Sequence, residues 1–182
     1  MKTNFLLIVL ILTFFVVGCK KDEGVTNAPP PSQQEDWTYP AGTTRDTVTT
    51  YCDKQNVAVG EEFDVKLVLY NVAEVFGVAI EMNYASDKSD VLSALAGPFF
   101  PSDNVVSLSP KIEPDSNRIS YGITRLRGST SISGSGVVIK LKCKGKAAGN
   151  ATFAINPTKL EIRKADGTLM VRPIADLTVV VH

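Results

Sequence analysis

The sequence predicts an all-β protein built as an antiparallel β-sandwich, and three observations support that fold class. Apolar and polar residues alternate with a period of two through most of the chain after residue 46, which is typical of strands with one buried face. Glycine, asparagine and aspartate interrupt these segments at regular intervals, as turns between short strands require. In this part of the chain, only residues 86–97 carry helix-like signals.

The chain opens with an export signal. Lys2 precedes an apolar run over residues 5–17, which as a helix would rise only about 20 Å and is too short to cross a hydrocarbon core. A short apolar run behind a basic residue is typical of a secretory signal peptide. We therefore assign residues 1–18 to a signal peptide.

Residues 16–19 read Val-Val-Gly-Cys and resemble the lipobox of bacterial lipoproteins. The resemblance implies that the Cys19 thiol receives a diacylglyceryl group, that the signal is then cut before Cys19, and that the new amino terminus is acylated. Two lipid signals are enough for stable residence on a membrane, and a triacylated cysteine exceeds that number. No aspartate follows Cys19 directly, and residues 20–23, Lys-Lys-Asp-Glu, resemble the surface-export signal of Bacteroidetes lipoproteins. The expected location is the outer membrane, in its outward-facing leaflet. The alternative is an ordinary signal peptide with an incidental cysteine.

Residues 19–46 are predicted to form the lipidated cysteine and a proline-rich tether. A proline triplet at residues 29–31 is followed by serine, glutamine and acidic residues, a composition that cannot bury enough apolar surface to order itself. Trp37 and Tyr39, near its end, either dock on the domain edge or stay in solvent. The folded domain is then residues 47–182, long enough for one hydrophobic core. The chain has 19 basic and 19 acidic residues, so its charge does not favour a nucleic acid partner.

Four segments show the alternation most clearly, and in each the apolar positions are predicted to face the core. These positions are Phe63, Val65, Leu67 and Leu69, then Val78, Ile80, Met82 and Tyr84, then Ile119, Tyr121 and Ile123, and last Val137, Ile139, Leu141 and Cys143. Residues 86–97 fit either one short helix or a loop that leads into a strand.

The order of these signals resembles a cohesin domain from about residue 47 to residue 181. Residues 57–65, Val-Ala-Val-Gly-Glu-Glu-Phe-Asp-Val, resemble the family's turn into its second strand, and residues 76–84 resemble its third strand, which ends on a tyrosine. Residues 131–141 resemble its glycine turn and eighth strand. The resemblance implies a nine-stranded jelly roll with a strand over residues 91–96. It also implies a non-catalytic module that receives a dockerin-bearing protein, in the context of polysaccharide breakdown.

The resemblance further implies a protein-docking face, on which the eighth strand lies beside the third and six polar side chains come together. They are Glu81, Asn83, Ser107, Ser109, Lys140 and Lys142. Gly77 and Ala79 stand where type I cohesins have an outward Asn and Asp, so the type I dockerin contact does not carry over residue by residue. The same residues also fit an ordinary solvent-facing sheet, with Glu81 paired to a lysine.

Two other functions stay open. The sandwich also resembles some carbohydrate-binding modules. The candidate contacts for a polysaccharide are Tyr70, which alternates with the predicted core positions of its strand and so faces outward, and the adjacent pair Phe99 and Phe100. The alternative for Phe99 and Phe100 is a hydrophobic plug that closes one end of the sandwich. The third function is a structural surface lipoprotein that acts as a spacer without a specific ligand.

The residues give little support for catalysis. His182, the last residue, is the one histidine, whereas a serine or cysteine hydrolase needs a base beside its nucleophile. We expect no enzyme activity, no cofactor and no metal site. Cys52 and Cys143 remain once Cys19 is set aside. In an oxidising compartment they either form a disulfide or stay as two separate buried thiols.

Overall fold

The computed structural model describes residues 35–40 and 46–182. The predicted signal peptide, Cys19 and most of the predicted tether lie outside these residues. The described chain folds into two β-sheets, one of five strands and one of nine, which confirms the predicted sandwich. No helix among the described residues is long and apolar enough to cross a membrane.

The chain forms fourteen strand segments and one short 3-10 turn at Pro114–Ser116. In chain order the strands are β1 (Thr47–Tyr51), β2 (Asn56–Val57), β3 (Glu62–Val75), β4 (Gly77–Tyr84), β5 (Ser89–Ala96), β6 (Val105–Ser107), β7 (Lys111–Glu113), β8 (Arg118–Arg125), β9 (Ile132–Gly145), β10 (Gly149–Ile155), β11 (Glu161–Arg163), β12 (Leu169–Met170), β13 (Ile174–Ala175) and β14 (Leu177–Val181). This number exceeds the nine predicted strands because six segments have only two or three residues. β5 confirms the strand predicted over residues 91–96 and replaces the short helix that the same residues allowed.

The five-stranded sheet has the order β13-β1-β3-β9-β5, and its pairs are antiparallel except β1 with β13. The nine-stranded sheet is centred on β4. β10 and β11 pair with successive parts of one edge of β4, and β8 pairs along the other edge. β6 and β7 then pair with β8. The only parallel pair of this sheet, among the described strands, joins β14 to β2.

The main core lies between the two sheets and follows the predicted alternation on β4 and β8. Val78, Ile80 and Met82 are buried, and Ile119 and Ile123 of the neighbouring strand join the same cluster. Each such side chain contributes about 1.5–3 kcal/mol when it is fully removed from water. The polar residues between them face outward, and this geometry determines which side chains form each outer surface.

One predicted core residue faces the other way. Val137 lies in a second, smaller cluster on the outer face of the five-stranded sheet, together with Val68 and Tyr70. The cause is a bulge in β9, because Leu67 pairs with Ile139 whereas the next residue, Val68, pairs with Val137. One extra residue in a strand reverses the facing of every residue beyond it.

Candidate functional site

The predicted docking face is divided between the two sheets. Glu81 and Asn83 lie on β4 of the nine-stranded sheet, whereas Lys140 and Lys142 lie on β9 of the five-stranded sheet. The prediction that these strands are neighbours is therefore wrong. The chain leaves β3 at residue 75 and enters β4 on the opposite sheet two residues later. A period of two reports which face of a strand is buried but not which sheet the strand joins.

Glu81 pairs with an arginine rather than with the expected lysine. Its Oε2 lies 3.5 Å from Nη1 of Arg118 on β8, and the Asn156 side-chain amide donates to its Oε1 at 2.8 Å. Asn83 is exposed on the same face, opposite Arg118 in the strand register. Ion pairs of this kind at a surface contribute only about 0.2–1 kcal/mol.

The two predicted serines differ in their surroundings. Ser107 on β6 has its Oγ 3.0 Å from the Tyr121 hydroxyl, so its hydroxyl group is engaged by a neighbouring strand. Ser109 lines an open cleft of about 410 Å³ together with Glu81 and Lys111. Of the six predicted contact residues, the structure therefore brings Glu81 and Ser109 into one cleft on the nine-stranded sheet.

A larger groove, of about 530 Å³, lies beside this cleft on the same outer face. Its floor is formed by Gly77 and Ala79 of β4 and by Gly122 and Thr124 of β8. Gly77 pairs with Thr124, and Ala79 pairs with Gly122. Gly77 is buried beneath the Thr124 side chain, whose Oγ1 would lie 3.0 Å from a Cβ at that position. At Ala79 and Gly122, in contrast, no side-chain atom extends beyond Cβ, so a partner can approach the strands closely there.

The rims of the groove differ in chemistry. On one side, Val106 and Leu108 are 50% and 67% exposed and lie together at the edge of the groove. On the other side are Arg163 and Lys164, whose charges are paired with Glu161 and Glu74. The sequence indicated Gly77 and Ala79 as departures from type I cohesins. It did not indicate Val106 and Leu108, because Ser107 and Ser109, which alternate with them, were the residues expected on the docking face.

Residues 36–40, which we call the strap, cover the part of the outer face of the five-stranded sheet around Lys66, Tyr70 and Val137. Nζ of Lys66 on β3 lies 3.0 Å from Oδ2 of Asp36 and donates to the backbone carbonyl of Thr38 at 2.7 Å. The Lys66 side chain is 2% exposed. A buried ammonium group is tolerated only with such partners, so the strap is what allows a lysine at this position.

The Asp36 carboxylate is held by the strap itself as well as by Lys66. The backbone amide and the hydroxyl of Thr38 donate to its two oxygens at 2.8 Å and 3.0 Å. These hydrogen bonds, followed by that from Lys66, lower the pKa of Asp36 from 3.8 to about 2. Asp36 is therefore ionised at neutral pH and forms a charge-assisted contact with the sheet.

The aromatic residues of the strap also contact the sheet. The Tyr39 ring packs edge-on against Tyr70 at 5.7 Å between centroids, and the Tyr70 hydroxyl donates to the carbonyl of Pro40 at 3.2 Å. The Trp37 ring lies under Nζ of Lys140 at 5.1 Å, a cation–π contact. Of the two alternatives for Trp37 and Tyr39, docking is observed, and it involves the sheet face rather than the edge.

The lysines of β9 are engaged by neighbouring residues. Lys140 lies 3.6 Å from Asp64, and burial followed by the charge of Lys142 lowers its pKa. Lys142 is 3.4 Å from Glu62 and 3.8 Å from Asp64 across the strand pair. Lys140 is nearly buried, whereas Lys142 is 45% exposed although it is paired.

The three aromatic residues predicted as alternative polysaccharide contacts are buried. Tyr70 is 3% exposed because the strap covers it, and Phe99 and Phe100 are 7% and 4% exposed within the main core. The prediction of exposed aromatic platforms at these positions is wrong. For Phe99 and Phe100 the structure agrees with the alternative of a hydrophobic plug.

Cys52 and Cys143 are both free and buried in the structure. Burial raises the pKa of Cys52 to about 11 and that of Cys143 well above its ordinary value. Cys52 directly follows β1, and β3 separates β1 from β9. Two strand spacings amount to about 9–10 Å, more than the Cα separation of a disulfide. In the described part of the chain, no group of three or more His, Cys, Asp or Glu residues could hold a metal ion.

A family model described as the cohesin domain matches residues 48–180. The structure resembles a non-cellulosomal cohesin from the archaeon Archaeoglobus fulgidus, with 18% identity and a TM-score of 0.61 over 76% of this chain and 91% of that one. It also resembles a type II cohesin domain from the cellulosome of Acetivibrio cellulolyticus, with 13% identity and a TM-score of 0.65 over 75% and 95% of the two chains. No curated protein matches the chain in sequence.

A third similar structure is a type I cohesin–dockerin complex from Clostridium thermocellum. It is 15% identical, with a TM-score of 0.60 over 75% of this chain and 100% of that one. At identities this low, the structural likeness concerns the fold alone.

Proposed function

The chain belongs to the cohesin family, whose members are non-catalytic binding modules, and from that premise we propose that it binds a dockerin-bearing protein through the groove. The proposal rests on one observation. Val106 and Leu108 form an open apolar surface beside the floor of the groove, which β4 and β8 provide. Exposed apolar patches with polar rims are typical of protein–protein interaction sites. The type I complex from Clostridium thermocellum, which contains a dockerin, supports this choice of partner class.

The groove also has the features that allow one side chain to dominate binding. Leu108 projects over the floor, where a Cβ added at Gly122 would be 3.5 Å from the Leu108 Cδ1. A partner that covers this rim would remove Leu108 from water while reaching the backbone of β8 through Gly122. Residues with this combination of exposure and central position are candidates for interface hot spots.

The test is binding of the full chain to the calcium-loaded dockerin domains encoded by the source organism, measured by titration calorimetry. We expect at least one dockerin to bind, with release when a chelator removes the calcium of the dockerin. We also expect no release on addition of soluble polysaccharide. Binding to none of the dockerins would contradict the proposal, and retention on insoluble polysaccharide instead would favour direct carbohydrate recognition. Binding to neither would favour a structural spacer.

We further propose that the module is anchored to the outer membrane by lipid on Cys19, facing outward, and that its partner is an enzyme of polysaccharide breakdown. The sequence of residues 16–19 supports the anchor. Mass spectrometry of the mature protein should show an acylated amino terminus at Cys19, and Cys19→Ser should move the protein into the soluble fraction. Digestion of intact cells by protease should remove the domain. A mature protein that retains residues 1–18 or lacks acyl chains would contradict the anchor.

A further inference from the structure

The strap and the groove lie on opposite sheets, but one segment of chain connects them. Residues 97–104, which we call the connecting loop, join β5 to β6, and β6 carries the Val106 rim of the groove. The amide of Gly97 donates to the Val138 carbonyl at 2.8 Å, and that of Phe99 donates to the Val137 carbonyl at 3.0 Å. The connecting loop is therefore bound to the bulged part of β9.

The strap packs on the same part of β9. The Val137 side chain belongs to the outer cluster on which Trp37 and Tyr39 rest, while its carbonyl holds the connecting loop. The fit is close, because a Cβ at Gly97 would lie 2.2 Å from the Val137 carbonyl oxygen. A displacement of Val137 would therefore shift both the strap and the connecting loop, because both contact this residue.

Trp37 also lies behind the rim of the groove. Its ring lines a cleft of about 430 Å³ together with Pro98 and Phe100 of the connecting loop and with Val105 and Ser107 of β6. β6 has three residues and, within the described chain, pairs with β8 alone. A strand this short with a single partner depends on the connecting loop that leads into it to stay in position.

We propose that the strap is a positioning element of the binding groove. Trp37 packs on the outer cluster that contains Val137, the Val137 carbonyl holds the connecting loop, and the connecting loop keeps β6 in position so that Val106 and Leu108 keep their places. The consequence for partner affinity rests on the proposed function of the groove. Docking of the strap favours the arrangement that the partner binds, and by linkage a bound partner favours the docked strap. The end of the tether is thereby coupled to the opposite face of the domain.

The test is amide hydrogen exchange of the full chain followed by mass spectrometry, with Trp37→Ala and Asp36→Asn as variants. Lys142→Ala is the matched control, because Lys142 lies on the same outer face but pairs with Glu62 and Asp64. We expect exchange in peptides covering residues 97–108 to become about tenfold faster in both strap variants. Peptides of β11, on the other rim of the groove, and the control variant should match the unsubstituted protein.

Unchanged exchange over residues 97–108 in Trp37→Ala would overturn the inference, and so would an equal acceleration across both rims. The measurement uses no partner, so its outcome is independent of the proposed function. If no dockerin binds the chain, the groove assignment fails while the coupling can still be observed. If exchange is unchanged but a dockerin binds, the coupling fails and the groove assignment stands.

Discussion

The two outer faces of the sandwich differ in what covers them. On the five-stranded sheet, the strap lies over Tyr70 and Lys66, and Lys140 and Lys142 of β9 are paired with acids of β3. On the nine-stranded sheet, the floor of the groove consists of small residues, and Leu108 is 67% exposed beside it. The five-stranded sheet is thus closed by its own chain around Tyr70 and Lys66, whereas the apolar rim and the small residues of the groove stay open.

This difference shows why polar side chains on a sheet are a poor guide to a binding face. Charges on neighbouring strands pair with one another and contribute little to recognition. Gly122 carries no functional group that a sequence would reveal, yet the absence of its side chain contributes to the concavity between β4 and β8. The exposed apolar residues beside such a concavity carry the stronger indication of a partner.

The two faces should differ most in how much one large residue contributes to the free energy of unfolding. Tyr70→Ala should lower the free energy of unfolding by about 3 kcal/mol, because it leaves a cavity under the strap. Leu108→Ala should change it by no more than about 0.5 kcal/mol, since the side chain is mostly in water. Urea denaturation followed by circular dichroism measures both values. Similar losses for the two variants would contradict the distinction between a covered and an open face.

A smaller effect concerns the pH dependence of strap docking. The pKa of Asp36 is about 2 in the folded protein and 3.8 ordinarily, so its contribution is complete above pH 4 and is lost as pH falls toward 2. Trp37 is the one tryptophan of the chain, so tryptophan emission reports on the strap. We expect a red shift of the emission on acidification over this range.

The control for the acid titration is Asp36→Asn. The tryptophan emission of this variant should already be red-shifted at neutral pH. Because an asparagine at position 36 does not titrate, that position should cause no further shift between pH 4 and pH 2. Circular dichroism over the same range separates release of the strap from unfolding of the domain. A red shift that coincides with loss of the sheet signal in both proteins would contradict a separate undocking step.

The smallest expected difference concerns the core between the two sheets, which contains Cys52 and Cys143. In a Cys19→Ser variant, the buried thiols of Cys52 and Cys143 should not react with a thiol reagent under native conditions, because burial raises their pKa and the thiolate is the reactive form. Two thiols should react after denaturation without reductant. Recovery of none would show a disulfide and contradict the separation of the two residues by β3.

Much of the fold was predictable because periodicity is a local property. The alternations on β4 and β8 identified their buried residues correctly, and residues 91–96 form a strand as predicted. The facing of Val137 was not predictable, because it depends on one bulge that only the pairing with β3 defines. The sheet to which β9 belongs was also missed, since strand order is a property of the whole topology.

The candidate site was less predictable than the fold. The contact between Asp36 and Lys66 joins residues thirty positions apart, and nothing in the composition of residues 35–40 distinguishes a docked strap from a tether. The floor of the groove includes Ala79 and Gly122, which carry no side-chain atom beyond Cβ. Sequence reasoning searches for functional groups, so a site made mainly of shape and exposed backbone leaves no comparable signal.

We expect the open face to bind the partner and the covered face not to bind it. The most direct measurement is titration of a calcium-loaded dockerin into the full chain with aspartate introduced on each outer face, as Leu108→Asp or as Lys142→Asp. We expect Leu108→Asp to weaken binding about thirtyfold or more, as loss of a hot spot does, and Lys142→Asp to leave the affinity unchanged. Loss of binding in Lys142→Asp with full binding in Leu108→Asp would contradict the claim and assign recognition to the five-stranded sheet.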